Sequence, residues 1–385
     1  MSGYVFIGNS TKPTLEVANS RNRISPTNVS APCIEAALAL GYDVFLGVNR
    51  NNAEELECTY PIKLYDAHSY RSLLAVKDNR IAYHNLVKLI KKNNVDVIHC
   101  NTPIGGMIGR FAGRRCRVNT IIYTAHGFNF CKQGSLLNNT VVKLAEKIMA
   151  RWTDAIITMN EEDFAAAKRF KMKKGGKVFF VHGVGIESSS YLPNQSIRRN
   201  KRMELGLSDQ QIMLISAGDL VDRKNYTPVI KALSQINDKN IHYYICGKGP
   251  KEQELKLLAK TLHVEDKVHF LGFRTDMKEL YQAADIFVFS SILEGLPRCT
   301  MEAMASGLPC IVSKIRGNVD LIKDNKNGLL CSPSGVEEYA EKIKYLASSK
   351  DERMRMGNNN LQIIKQYDIA VVRNEIKSIY AEILT

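Results

Sequence analysis

The chain has 385 residues, 45% hydrophobic content and a formal net charge of +14. One hydrophobic core rarely grows past roughly 250–300 residues, so this length predicts two domains, each apolar enough to bury a core of its own. No run of about 18 apolar residues occurs, which excludes a membrane-spanning helix, and the first residues, Met1 to Gly8, lack a basic leader and read as a strand.

Nine cysteines stand singly, with no Cys-x-x-Cys pair, and several fall in strand-like runs (Cys100, Cys246, Cys310, Cys331). That pattern predicts reduced, buried thiols in a cytosolic protein. Basic clusters stand at Arg110–Arg117, Lys171–Lys177 and Arg198–Arg202. They fit a solvated surface, a phosphate-bearing ligand or the anionic face of a membrane. No zinc-finger, RNA-recognition or basic-zipper pattern accompanies them, so no nucleic acid is expected.

In chain order, Tyr4–Gly8 reads as a strand, Asn9–Pro32 as a polar loop, Cys33–Leu40 as a helix and Asp43–Gly47 as a second strand. Ile81–Lys92 is an amphipathic helix with Ala82, Leu86, Leu89 and Ile90 on one face. Asp96–Cys100 is a strand, followed by the loop Asn101–Gly106 and a helix. The strand Thr120–Thr124 runs into Ala125-His126-Gly127. A helix over Leu136–Arg151, a strand Ala155–Thr158, a helix from Glu161 and a strand Val178–Val181 complete the first half. After a polar, basic stretch, strands recur at Met213–Ser216, His242–Ile245, Val268–Leu271, Ile286–Phe289 and Cys310–Val312, and an amphipathic helix spans Ile369–Leu384. Strand–helix alternation in both halves predicts an α/β protein of two doubly wound parallel sheets facing a central cleft. The expected division is a domain over 1–190, a linker over 191–206, a domain over 207–365, and a C-terminal helix over 366–385 packing back on the first domain.

The candidate site residues lie where strands end. Gly218 opens a turn that leads to Arg223 and Lys224, suited to a diphosphate or simply to a surface loop. Gly247 and Gly249 let backbone approach a ligand, or merely make a turn. Phe273 and Arg274 could border a base ring, or precede a helix cap at Thr275 or Asp276. The densest stretch follows Phe289. A loop carries Glu294, Gly295, Leu296 and Pro297, and a short helix from about Cys299 carries Thr300 and Glu302 and ends at Gly307. A helix start there offers free N–H groups to an anion. His126, at a strand end between two small residues, reads as a site residue in preference to a core histidine. There is no Walker loop, Ser elbow, HExxH or Asp-x-Asp. With no metal motif, diphosphate charge falls to Arg, Lys and N–H groups, and no metal cofactor is expected.

Taken together, Ser290-Ser-Ile-Leu-Glu294-Gly-Leu-Pro297 and Met301-Glu302-Ala-Met-Ala-Ser-Gly307-Leu-Pro resemble the E-x7-E motif of the retaining family 4 glycosyltransferases with the GT-B fold. The stretches from Gly218 to Asn225, Gly247 to Pro250 and Gly272 to Asp276 fall in that family's order. Asp96–Pro103, Tyr123–Phe128, Thr153–Asp163 and Gly183–Ile186 resemble a bacterial capsule and exopolysaccharide subgroup. The resemblance implies a nucleotide-sugar donor, UDP-linked, and a lipid-linked or soluble glycan acceptor. It implies work in the cytoplasm, peripheral on the inner face of the membrane. By the same resemblance Lys224 and Arg223 meet the diphosphate, Phe273 and Arg274 border the base, and Glu302 takes the ribose. Glu294, with the backbone of Gly295 to Pro297 nearby, meets the sugar, and His126 approaches it from the first domain. Two positions depart from the family: Asp219 stands where many members have Arg, and Gly8-Asn9-Ser10 replaces a Gly-Gly turn. Two rival readings remain at this point, a sugar-nucleotide epimerase on the same fold and a non-catalytic binder of anionic polymers.

Overall fold

The computed structural model describes residues 2–7, 23–24, 26–27, 29–49, 57–68, 74–131 and 136–385. The turn Gly8-Asn9-Ser10, most of the loop 9–32 and residues 132–135 lie outside them. The chain divides into two compact units, Met1–Gly185 with Ile369–Thr385, and Ile186–Asp368.

The first unit is built on a parallel sheet. Its strands are β1 (Gly3–Ile7), β3 (Asp43–Val48), β5 (Lys63–Asp66), β6 (Val95–Asn101), β7 (Thr120–Ala125), β8 (Ala155–Thr158) and β9 (Lys177–Phe180), and a short pair, β2 (Arg23–Ile24) and β4 (Glu57–Cys58), stands apart. The spatial order is β5-β3-β1-β6-β7-β8-β9. Each strand but the edge ones is nearly continuous in buried apolar residues, as a sheet covered on both faces requires. The helix after β6 begins at Pro103, earlier than the sequence suggests, because proline at the first helical turn gives up an N–H that has no partner there anyway. Its glycine face lies on the sheet: a methyl at Gly106 would stand 2.4 Å from the Tyr123 ring.

One basic cluster is reassigned by this packing. Arg110 is fully buried, donates to Glu146 Oε2 at 2.8 Å and to the Gly106 carbonyl at 2.9 Å, and lies 4.0 Å from the Tyr123 ring centre. It is a core ion pair and takes no part in the surface of Arg110–Arg117.

The C-terminal helix, Ile369–Leu384, belongs to the first unit. It buries Val372, Ile376, Ile379 and Tyr380. Tyr380 joins a buried network: its hydroxyl meets Tyr4 OH at 2.5 Å and His99 Nδ1 at 2.5 Å, while His99 Nε2 meets Thr124 Oγ1 at 2.7 Å. Burial, with His126 adding like charge, pushes His99 down to about 3. In an unfolded chain a histidine titrates near ~6.5. Between those values the unfolded state binds a proton that the folded state refuses, so stability falls as pH drops below ~6.5. The expected slope at this site is up to about 1.4 kcal/mol per pH unit. Urea midpoints at a series of pH values, read for wild type and His99→Gln, check it, and equal pH dependence in both proteins would refute it.

The second unit repeats the design with β10 (Ile212–Ala217), β11 (Ile241–Cys246), β12 (Val268–Gly272), β13 (Ile286–Phe289), β14 (Cys310–Ser313) and β15 (Gly328–Cys331), in the order β12-β11-β10-β13-β14-β15. All pairings are parallel. Successive strands spread to one side from β10 through β11 and to the other from β13, so the order reverses between β10 and β13. Open sheets of this kind bind ligands outside the carboxyl ends of the strands at that point.

The stretch 191–206, expected as a linker, is ordered inside the second unit. Asn194 caps a helix over Gln195–Glu204, its Oδ1 accepting from the N–H groups of Ser196 and Ile197. Arg202 is buried, and both Arg198 and Arg202 pair with Asp285, at 2.6 and 3.1 Å. Asp285 also accepts from the Met213 N–H at 2.8 Å. Two of the basic residues read as surface, Arg198 and Arg202, therefore pin this helix to the start of β10 and β13.

Candidate active site

β13 is completely buried, and each of its four side chains is worth about 1.5–3 kcal/mol in removed apolar surface. That anchor fixes where the following loop starts. Ser290 and Ser291 are buried, the loop turns through Glu294-Gly295-Leu296-Pro297, and a helix spans Arg298–Ala305 with Pro297 as its cap.

On the neighbouring strand, β10 ends at Ala217, Gly218 comes next, and a single 3-10 turn over Asp222–Lys224 follows. The two loops are laced together. The Ile292 N–H donates to the Arg223 carbonyl at 2.9 Å, and Ser291 Oγ lies at the same distance from that oxygen. Asn225, at φ +52°, donates to the Ser290 carbonyl at 3.0 Å, and Ser290 Oγ donates back to the Asn225 carbonyl at 2.6 Å. The result is one carboxylate oxygen with three donors. Glu294 Oε1 accepts from Arg223 Nη1 at 2.7 Å, Lys224 Nζ at 2.8 Å and Ser291 Oγ at 2.7 Å. Lys224 is mostly withdrawn from solvent and stands 4.7 Å from the Phe289 ring centre, whereas Arg223 keeps 43% of its side chain exposed. Arg316, itself buried, donates to the Glu294 carbonyl at 3.0 Å.

The glycines predicted for the site make the backbone layers touch. A β-carbon at Gly247 would lie 1.9 Å from the Gly218 carbonyl oxygen, and one at Gly249 would lie 2.3 Å from the Leu220 carbonyl. Gly247 also takes φ +156°, which disfavours any side chain. The Gly218 N–H donates to the Cys246 carbonyl at 2.9 Å and the Gly247 N–H to the Gly272 carbonyl at 2.7 Å. Phe273 follows with 72% of its surface exposed. Arg274 is clamped in two bonds to Asp276, Nε to Oδ1 at 2.7 Å and Nη2 to Oδ2 at 2.5 Å. That arginine, with Lys201, holds the Asp276 carboxyl well below the usual carboxylate range.

Glu302 lies on the second turn of the helix, one side chain over from Cys299. Arg298 Nε donates to its Oε1 at 2.9 Å and Tyr281 OH to its Oε2 at 3.4 Å. Burial, with the Glu302 charge adding, pushes Tyr191 up to about 12. Burial also pushes the Cys299 thiol up to about 12, so it stays protonated among Lys224, Glu294 and Glu302. Thr300 is buried, and its Oγ1 has no hydrogen-bond partner among the described residues. Among the described residues no group of three or more His, Cys, Asp or Glu is arranged to hold a metal ion.

The second unit thus sets Gly218, Arg223, Lys224, Glu294, Gly295, Leu296, Pro297, Thr300 and Glu302 in the segments that follow β10 and β13, with Gly247 and Gly249 after β11 against the Gly218 and Leu220 backbone, while Phe273 and Arg274 follow the edge strand β12. Sequence reasoning missed Ser291, Arg298 and Tyr281, which hold the two carboxylates, and Arg316, which holds the Glu294 backbone carbonyl. Of these only Arg298 had a local signal, its four-residue spacing to Glu302 on one helix.

His126 belongs to the first unit, at the end of β7. Its Nε2 meets Asn101 Oδ1 at 2.8 Å, and burial pushes it down to about 4. It is a neutral hydrogen-bonding group at neutral pH. Around it lie Pro32, Thr124, Met159, Val181 and Gly183.

Two family models match the chain: glycosyl transferases group 1 over residues 197–362 and glycosyl transferase 4-like over residues 27–160. EpsD of Bacillus subtilis, assigned as a glycosyltransferase, is 32% identical over 79% of this chain and 81% of its own length. The Escherichia coli UDP-Gal:α-D-GlcNAc-diphosphoundecaprenol α-1,3-galactosyltransferase is 26% identical over 82% of each. The crystal structure of HepE from Anabaena, in complex with UDP, superposes with a TM-score of 0.77 at 19% identity, over 99% of this chain and 100% of that one. The chain belongs to the family 4 glycosyltransferases and has the GT-B fold.

Proposed function

We propose that the protein is a retaining glycosyltransferase that moves a sugar from a UDP-sugar to a hydroxyl of a polyprenyl-diphosphate-linked glycan, in capsule or exopolysaccharide assembly at the cytoplasmic face of the membrane. The observation that carries this reading is the cluster of Lys224, Arg223 and Glu294 at the carboxyl ends of β10 and β13, beside the start of the Arg298–Ala305 helix. The donor and acceptor classes are supported by the Escherichia coli relative, whose name states a UDP-sugar donor and a diphosphoundecaprenol acceptor.

In this reading Lys224 and Arg223 stabilise the charge that develops on the departing diphosphate, with the N–H groups of the helix start and Thr300 Oγ1 beside them. Glu294 has a double part. It fixes both cations, and its carboxylate receives hydroxyls of the transferred sugar. Glu302, steered by Arg298 and Tyr281, receives the ribose hydroxyls. The exposed Phe273 offers a face to the base, with Arg274 held beside it by Asp276. His126 serves as a neutral partner for a sugar hydroxyl. Attack on the face the diphosphate leaves, with a phosphate oxygen taking the acceptor proton, gives retention without a protein nucleophile.

A donor screen reads this directly: nucleotide release from UDP-sugars that depends on added lipid-linked acceptor is the expected result. An epimerised sugar nucleotide formed from donor alone would contradict it. For the ribose assignment, Glu302→Ala should weaken UDP binding about ten- to hundredfold, the worth of hydrogen bonds to a charged group, with the fold intact. An unchanged dissociation constant in calorimetry would refute that role.

A further inference from the structure

A hollow in the first unit lies where four adjacent strands end. Asn101 closes β6, His126 follows β7, Met159 follows β8 and Val181 comes just after β9. Val184 adds to one side of it, and Val372 and Ile376, on one face of the C-terminal helix, add to another. Parallel sheets hold their ligands at this end of the strands. The wall is mostly apolar, and among the described residues no Asp, Glu, Lys or Arg lines it.

Its polar groups are few and unevenly used. Asn101 is 2% exposed, yet its Nδ2 has no hydrogen-bond partner among the described residues. Its Oδ1 takes the His126 Nε2–H at 2.8 Å, which leaves a lone pair on Nδ1 of the neutral ring. Burial keeps that ring neutral, pushing it down to about 4. Turning the Asn101 amide over would exchange the two roles, and the pair would still offer one donor and one acceptor. Thr124 is spent on His99 at 2.7 Å, and burial pushes the Cys33 thiol up to about 12, so it carries no charge.

A buried N–H without an acceptor costs free energy, and a ligand oxygen that answers it removes that cost. The occupant is uncharged, since a phosphate or carboxylate would shed its water here and meet no cation. A lone hydroxyl would answer Asn101 and leave the apolar wall uncovered. An acetamido group answers both, its carbonyl taking the Asn101 N–H and its methyl lying against Met159, Val181 and Val184.

We propose that this hollow holds the acetamido group of an N-acetylated hexosamine, and that Asn101 selects for it. The proposal rests on the placement of a sugar at His126 given above, and it leaves the neighbouring hydroxyl to His126 Nδ1. The same group can arrive on the transferred sugar or on the last sugar of the acceptor, and the test separates these sources.

Two competition assays on the intact protein do so. One sets UDP-GlcNAc and UDP-GalNAc against UDP-Glc and UDP-Gal as donors. The other sets a GlcNAc-diphosphate lipid against its Glc counterpart as acceptor. In one of the two, kcat/KM for the acetamido sugar should exceed that of the hydroxyl analogue by about tenfold or more. Asn101→Asp keeps the side chain's shape and turns its donor into an acceptor, and it should lower that ratio about tenfold. Val184→Thr, on the wall, should lower it about threefold. A ratio is blind to any loss of folded protein. No preference in either assay would overturn the proposal, and so would a preference that Asn101→Asp leaves intact. Binding is read apart from chemistry by saturation-transfer NMR with the α-methyl glycosides of GlcNAc and GalNAc. The acetyl methyl should receive the strongest saturation, and Asn101→Asp should abolish it. A protein that shows this and transfers no sugar keeps the hollow and loses the reading of its chemistry. One that transfers sugars without regard to the acetamido group keeps the chemistry and loses the hollow.

Discussion

Lys224→Met is expected to lower kcat by about 10²–10³-fold, the cost of losing one preorganised charge aimed at a leaving group. The substitution keeps the side-chain length over the Phe289 ring, so packing loss is small. It removes one of three donors to Glu294 Oε1 and leaves Arg223 and Ser291 in place. Because the charge on the diphosphate grows towards the transition state, the loss should fall on kcat more than on the donor KM. Steady-state kinetics with a UDP-sugar check this, and a kcat equal to that of wild type would remove Lys224 from the chemistry. Arg223→Met should cost less, since that guanidinium is far more exposed and better screened.

The second large effect is structural. Gly247→Ala forces a methyl to within 1.9 Å of the Gly218 carbonyl oxygen at φ +156°. Neither neighbour can yield as a side chain would, because the contact is with backbone. Strain and overpacking together should cost about 2–5 kcal/mol of stability in the second unit, and the displaced Gly218 turn should weaken UDP binding as well. Urea unfolding and calorimetry measure the two effects. An unchanged midpoint with unchanged affinity would show that the close approach of these loops is not required.

Much of this architecture is legible in the sequence because it is written locally. The run Ile286–Phe289 is apolar throughout, as a strand covered on both faces must be, and Gly307 with Pro309 ends the next helix where the structure ends it. The amphipathic spacing of the last helix gives its extent, Ile369–Leu384, without reference to anything else. What is not legible depends on partners far along the chain. Arg110 reads as one of four basic residues on a surface; only Glu146, on another helix, makes it a core residue. The stretch 191–206 reads as a polar linker because its arginines look solvated. Their partner, Asp285, lies more than eighty residues on and turns the stretch into a pinned helix. Within the site, the two glutamates and the cations are visible as residues, but the three hydrogen bonds to one oxygen of Glu294 are not, since Ser291 is an ordinary serine until the loops are laced. The glycines show the same asymmetry. Gly-x-Gly predicts a turn, whereas the reason a side chain fails at Gly247 is the carbonyl of Gly218, on a different strand.

The anomeric configuration of the product separates retention from inversion. With a lipid-linked acceptor and an α-linked UDP-sugar identified by the donor screen, one UDP is expected to be released for each sugar transferred. The new glycosidic bond, read by NMR coupling at the anomeric proton, is expected to be α. A β product would contradict retention, and failure of any UDP-sugar to release nucleotide in the presence of lipid-linked acceptors would contradict the transfer itself.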